Sequence, residues 1–366
     1  MITNSNFLDD ISTLSDSASI YIYGTGRTAR VFVEYIEQHR PDIKVLGYVD
    51  TYKETDTENQ IYNYTDFRAL DGKYETVVVC SIYWDEISAS LMDDNINHMM
   101  ITGKMLHLVA GLGALGDFYF TPEEHKYYSD NLGQYTSLFE DSTILENLFK
   151  LRSKNDAEDV LEFLEYYKRF EFDRQYFDFY DWTKVNSMVE AGVNDGRDMI
   201  KALSYNKDMK IVGFEPNLYD YKKSDNFSVL SPNPNVTIEE LALWDKKERI
   251  FAANEACEGS SFRVVRESDD AESVQATDLD SYLNENGINS LDFIKMDIEG
   301  AEMSALTGAR ETIKNLKPNL AICIYHKRDD IFNIPKFIKE LNPDYKLHIG
   351  IYSSTFCEIV LYAINS

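Results

Sequence analysis

The chain has 366 residues, which at roughly 100–200 residues per domain predicts two or three compact units. Apolar residues make up 44% and charged residues 27%, with 8 prolines and 17 glycines, a balance that excludes collagen-like and largely disordered chains. Lys and Arg total 36 against 63 Asp and Glu, and the resulting charge of −27 opposes general binding to nucleic acid or anionic membranes.

Residues 1–18 read as a polar, acidic lead-in, with neither the basic start nor the apolar stretch of a secretory signal. No apolar run approaches the ~20 residues of a membrane-spanning helix, so the expectation is a soluble cytoplasmic protein without membrane insertion. The four cysteines (Cys80, Cys257, Cys323, Cys357) form no CxxC pair or zinc-ligand spacing, and Cys80 and Cys323 sit in apolar runs as buried free thiols.

The first domain is expected over residues 19–112. SIYIYG (19–24) reads as a strand into a tight turn, and the helix after it carries Val31, Phe32, Tyr35 and Ile36 at helical spacing. KVLGYVD (44–50), YETVVVCS (74–81) and a helical WDEISASLMDDN continue the alternation, which implies a parallel sheet. Residues 113–184 read as a helical connector: Thr121-Pro122-Glu123-Glu124 is an N-cap with an acidic first turn, and DAEDVLEFLEYYKRF is amphipathic. Strand–helix alternation resumes over 185–366, with VNSMVEAG, MKIVGFEP, NVTIEELALWD, RIFAA, LDFIKMD and LAICIYH as successive strand candidates. YKLHIGIYS and CEIVLYAI lie close together with no helix between them and read as a closing antiparallel hairpin. The fold class is α/β, with two Rossmann-like domains joined by the connector.

Three constellations could carry chemistry. Gly24-Thr25-Gly26-Arg27-Thr28-Ala29 is a GxGxxA loop between strand and helix, and Asp50 ends the next strand where an acid could meet a ribose hydroxyl. Gly24, Gly26, Arg27 and Asp50 are therefore candidate nucleotide-binding residues; a tight turn that needs only small side chains accounts for the pattern equally well. Glu190-Ala191-Gly192-Val193-Asn194-Asp195-Gly196 places an acid at a strand end before a glycine loop, and Glu215 closes the following strand, positioned for ribose hydroxyls. Surrounding acids make phosphate cradling unnatural there. Asp297, Glu299 and Glu302 follow the strand DFIKM, and Tyr325-His326 end the next, so Asp297, Glu299 and His326 should share the crevice of Glu190 and Glu215. His326 is the general-base candidate, and a satisfied structural histidine is the plainer alternative.

The stretch from about 185 to 364, with EAGVNDG, GFEPN, ALWD, TDLDSYL, DFIKMDIEGAE, YHKRDD and the closing YSSTFCEIVLYA, resembles the FkbM-type family of S-adenosylmethionine-dependent methyltransferases. Members usually carry aspartate where Glu190 stands, which keeps the carboxylate. The resemblance implies a methyltransferase-type, mostly parallel sheet and S-adenosylmethionine contacts from Glu190, Gly192, Asn194, Gly196 and Glu215. It also implies Ala242 to Asp245 beside the adenine, and Asp297 near the methionine end or the acceptor. Its described members commonly methylate hydroxyls, including those of sugars. The N-terminal part resembles Rossmann-like modules attached to enzymes of surface-glycan and nucleotide-sugar metabolism.

The expected function is thus O-methylation of a sugar, nucleotide sugar or glycan, with His326 as base or acceptor-orienting group and Asp297 as its partner or the anchor of the cofactor amine. A metal is not expected, although Asp297, Glu299 and His326 could form a site. The competing readings are a nicotinamide-dependent oxidoreductase using the Gly24 loop, and a non-catalytic assembly module whose N-terminal half holds a homo-oligomer or partner. An anionic sugar nucleotide would need a local basic pocket, for which Arg27, Arg30, Lys327 and Arg328 are the candidates.

Overall fold

The structure is a computed structural model and describes residues 2–70, 74–81, 83–105, 120–153, 156–254, 262–265, 272–354 and 357–365. The expected end of the first domain near residue 112, Cys257 and the side chain of Arg27 lie outside the described residues.

Alternating apolar side chains build the N-terminal sheet from both faces. Its strands are β1 (Phe7–Leu8), β2 (Ser19–Tyr23), β3 (Lys44–Asp50), β4 (Ile61–Asn63), β5 (Thr76–Val79) and β6 (His98–Ile101). All are parallel, in the order β1-β6-β5-β2-β3-β4. On β2, Ile20 and Ile22 pack with Phe32 and Ile36 of the helix Arg27–His39, while Tyr21 and Tyr23 face the other way, toward Phe67, Ile87 and Leu91. The lead-in differs from its expected polar character: Phe7, Leu8, Ile11 and Leu14 are buried, and Phe7–Leu8 pair with Met100–Ile101. Burying four apolar side chains outweighs the polarity of their neighbours.

The connector region forms the helices Pro122–Thr136, Thr143–Arg152 and Ala157–Tyr167. Thr121 accepts a hydrogen bond from the Glu124 amide at 3.3 Å and its own amide donates to Glu124 Oε2 at 2.8 Å, a reciprocal cap. These helices do not stand apart. One compact unit comprises Met1–Asn131, Glu146–Arg169 and Ser354–Phe356, and the other Leu132–Leu145, Phe170–Ser353 and Cys357–Ser366.

The C-terminal unit holds β7 (Ser187–Ala191), β8 (Lys210–Phe214), β9 (Val236–Glu239), β10 (Ala242–Leu243), β11 (Glu248–Asn254), β12 (Phe262–Val265), β13 (Glu272–Thr277), β14 (Phe293–Met296), β15 (Asn319–Cys323), β16 (Lys346–Ile351) and β17 (Ile359–Ile364). Seven of these form one sheet in the order β16-β17-β15-β14-β7-β8-β9. It is parallel except for β17, which runs antiparallel to both β15 and β16 and so inserts between them as the second arm of the hairpin. Near-continuous apolar runs such as Leu320–Ile324, all fully buried, suit a sheet covered on both faces. The RIFAA run departs from the expected alternation: β10 to β13 make a separate four-stranded sheet in the order β10-β13-β11-β12. Its strands alternate apolar with polar residues (Ile250 and Ala252 buried, Arg249 exposed), the pattern of a sheet with one solvated face. Among the described residues no helix is long and apolar enough to cross a membrane.

Candidate functional site

After β7 the chain moves to one side for β8 and β9 and then to the other for β14 and β15. The carboxyl ends of β7 and β14 therefore flank the topological switch point, where open α/β sheets bind ligands. The loop Gly192–Gly196 opens there into the helix Arg197–Tyr205. Gly192 has φ +82°, and a Cβ on it would lie 1.8 Å from the Asp297 carbonyl oxygen, so only glycine lets the β7 loop pass the end of β14.

Parallel register sets Lys295 of β14 beside Glu190 of β7. The Lys295 ammonium donates to Glu190 Oε1 at 3.1 Å and to the Gly192 carbonyl at 2.9 Å, lies 3.2 Å from Asp198, and sits 4.7 Å over the Tyr176 ring. Burial would lower the Lys295 pKa, but Glu190 and then Asp198 outweigh it and hold the ammonium charged. Burial pushes the Glu190 carboxyl up to about 8 against the pull of Lys295. Glu190 Oε2 is buried with no hydrogen-bond partner.

Glu215 follows β8. Its carboxylate accepts the Asn194 amide at 3.2 Å and the Asn217 amide at 3.0 Å, and thus ties the glycine loop to the next strand end. Burial raises its pKa, and the two amides partly offset that. Asn194 reaches this position with φ +50°, and Gly196 caps the helix with φ +81°. Beside Glu215, Tyr282 donates to Glu239 Oε1 at 2.8 Å and stands edge-on to Phe214. Ala242 is buried on β10, and Asp245 lies exposed in the turn toward β11.

On the other side of the switch point, Asp297, Glu299 and Glu302 converge on His326. Its Nδ1 is 2.8 Å from Glu302 Oε1, and its Nε2 is 3.5 Å from Asp297 Oδ1 and 3.4 Å from Glu299 Oε2. Burial would lower the His326 pKa, but Glu302, Asp297 and Glu299 raise it to about 9, so the ring is protonated at neutral pH. Burial likewise works against the Asp297 charge, yet His326, Lys295 and the Tyr176 hydroxyl, which donates to Asp297 Oδ2 at 2.7 Å, keep its pKa below the ordinary value.

Glu190, Gly192, Asn194 and Glu215 are thus joined by hydrogen bonds or register, and Asp297 and Glu299 meet His326 at ion-pair distance. Lys295 and Tyr176 belong to the same two clusters without standing out in the sequence, and Glu302, one of the three acids after β14, joins them. A lysine inside the apolar run FIKM was the available signal for Lys295, because a buried charge requires a partner.

In the N-terminal unit, Gly24 (φ +110°) and Gly26 end β2 at that sheet's own switch point, between β3 and β5. Asp50 accepts from Thr25 Oγ1 at 2.6 Å and from the Tyr52 and Lys53 amides, so its carboxylate is held toward the loop by local bonds. Arg30 and Lys327 are exposed, and Arg328 is half-buried.

A parallel sheet whose switch point carries a glycine loop, with acids closing the two adjacent strands, defines the Rossmann-like domains that bind nucleoside-containing cofactors. Residues 190–345, less than half of the chain, match the model of the methyltransferase FkbM domain. The chain is similar to the 2-O-methyltransferase NoeI of Sinorhizobium fredii, at 26% identity over 144 residues. That match spans 34% of this chain and 58% of the relative's own length. Among solved structures it is similar to a methyltransferase FkbM from Methylobacillus flagellatus, with a TM-score of 0.64 and 19% identity over 97% of this chain and 92% of the other. At that identity the likeness carries the fold.

Proposed function

We propose that the C-terminal unit transfers a methyl group from S-adenosylmethionine to a hydroxyl of a sugar, nucleotide sugar or glycan. The observation that carries this reading is the pair Glu190 and Glu215 on adjacent strand ends, with the Gly192–Gly196 loop hydrogen-bonded between them. The FkbM family match supports the reaction class, and the 2-O-methyltransferase relative supports oxygen as the acceptor atom.

These residues fit the cofactor. Glu215 is held rigidly by two backbone amides, and its carboxylate can accept from ribose hydroxyls. Glu190 Oε2, buried and unpartnered, offers an acceptor to the amino-acid moiety. When bound, S-adenosylmethionine supplies an electrophilic methyl carbon. The chain must then orient the acceptor oxygen in line and take its proton. His326 and Asp297, ending β15 and β14, are the groups proposed to do so. Protonated at neutral pH, His326 donates a hydrogen bond to the acceptor oxygen; in its neutral form it receives the proton.

Calorimetric titration with S-adenosylhomocysteine tests the cofactor site. The full chain should bind one equivalent, and Glu215→Gln should bind at least tenfold more weakly. No binding to the wild type, or equal binding to the variant, would reject the assignment.

A further inference from the structure

We propose that His326 Nε2, Asp297 and Glu299 bind a divalent metal cation, with Glu302 and Tyr176 as the residues that orient the ligands. Asp297 Oδ1 and Glu299 Oε2 approach the His326 ring from its Nε2 side, while Glu302 Oε1 holds the Nδ1 side at 2.8 Å. Acidic clusters alone are common, but this one surrounds a buried imidazole nitrogen that makes no hydrogen bond. The His326 side chain is only 4% exposed, and its Nε2 has no hydrogen-bond partner. That atom faces Asp297 Oδ1 at 3.5 Å and Glu299 Oε2 at 3.4 Å, in poor geometry for hydrogen bonds. With metal–ligand distances of ~2.1 Å, neighbouring donor atoms around one cation sit ~3.0–3.4 Å apart, close to the separation of each of these carboxylates from Nε2.

The surrounding contacts are those of a metal centre's outer shell. A ligating imidazole usually donates its second nitrogen to a carboxylate, which fixes the tautomer and ring plane. Here Nδ1 is paired with Glu302, itself fully buried and anchored by the Ile298 amide at 3.0 Å. Ligating carboxylates are hydrogen-bonded in their turn, and Asp297 Oδ2 accepts from Tyr176 while Oδ1 points at the histidine. Three carboxylates around one imidazole also leave the pocket negative even when the ring is protonated, and a divalent ion balances that charge. One imidazole nitrogen with carboxylate oxygens suits Mn²⁺, Mg²⁺ or Zn²⁺ and is unlike the thiolate sets that select copper or iron–sulfur clusters. With Nε2 on a cation and Nδ1 on Glu302, His326 would act as a ligand and not as the base, and the cation would instead lower the pKa of a coordinated acceptor hydroxyl.

The inference deepens the methyltransferase reading of the same site, but it is tested without methyl transfer. Mn²⁺ alone is titrated into the full chain, followed by electron paramagnetic resonance of the free ion. One saturable site is expected, weakened at least tenfold by His326→Gln and by Asp297→Asn, and roughly 10–100-fold by Glu302→Gln. Absence of saturable binding of Mn²⁺ and of Zn²⁺, or equal binding by folded variants, overturns the proposal. Should the variants not fold, the wild-type Mn²⁺ complex decides: spin-echo modulation from a coordinated ¹⁴N supports the site, and its absence overturns it. Mn²⁺ binding without S-adenosylhomocysteine binding would remove the methyltransferase reading and keep the metal; the reverse result would keep the enzyme and remove the metal.

Discussion

Replacing Lys295 by methionine removes the buried cation at the centre of the proposed cofactor site. The side chain is 4% exposed and makes two hydrogen bonds, to Glu190 and to the Gly192 carbonyl, besides the ion pair with Asp198. At an effective dielectric of about 20, the 3.1 Å contact with Glu190 has a Coulomb limit of about 5 kcal/mol when both groups are charged. Glu190, pushed up to about 8, can take a proton when the cation leaves, which caps the penalty below that limit. Two buried bonds from a charged donor are worth ~1.5–3 kcal/mol each, so Lys295→Met should cost ~3–5 kcal/mol. That is a large share of a typical total of ~5–15 kcal/mol. Hydrogen exchange of the β7 and β14 amides reads this loss in the C-terminal unit specifically. Adding Glu190→Leu should recover at least half of it, because an apolar pair needs no cation. A single variant within about 1 kcal/mol of wild type, a typical exposed-pair value, or a double variant no better than the single, would show that the buried cation does not hold this site together.

Gly192→Ala places a methyl 1.8 Å from the Asp297 carbonyl and forces an alanine to φ +82°, so a loss of at least ~3 kcal/mol and of S-adenosylhomocysteine binding is expected by denaturation and calorimetry. Tyr176→Phe removes the hydroxyl that donates to Asp297 and should cost ~1.5–3 kcal/mol in urea unfolding. Asp330 is 3% exposed, and burial, followed by repulsion from Glu302, raises its pKa from 3.8 to about 7. The folded carboxyl keeps a proton that the unfolded chain releases, so this group costs stability as pH rises through that window. Asp330→Asn should therefore flatten the fall in melting temperature between pH 5 and pH 8.

The strand-end acids were legible because each closes an apolar run: Glu190 after SMV, Glu215 after KIVGF, Asp297 after FIKM, and His326 after LAICIY. A run that stops at a polar residue marks both the strand and the edge where ligands bind. Tyr176 was not legible, because it lies between short turns where no periodicity marks a direction and it takes φ +66°. Glu302 stands with Asp297 and Glu299 in one acidic stretch, and only the fold shows that it is the one bonded to His326 Nδ1. The four-stranded sheet was missed because β12 and β13 are separated by a charged, acid-rich stretch and carry a weaker apolar pattern than the central strands. In the lead-in, Phe7, Leu8, Ile11 and Leu14 are too irregularly spaced among acids to announce an edge strand.

The proposed function places the cofactor at the switch point of the C-terminal sheet. A crystal structure of the full chain soaked with S-adenosylhomocysteine tests it most directly. Nucleoside density is expected over the Gly192–Gly196 loop, with the ribose hydroxyls on Glu215 and the amino-acid end toward Glu190. Density against Gly24 and Gly26, or a ribose placed away from Glu215, would contradict it.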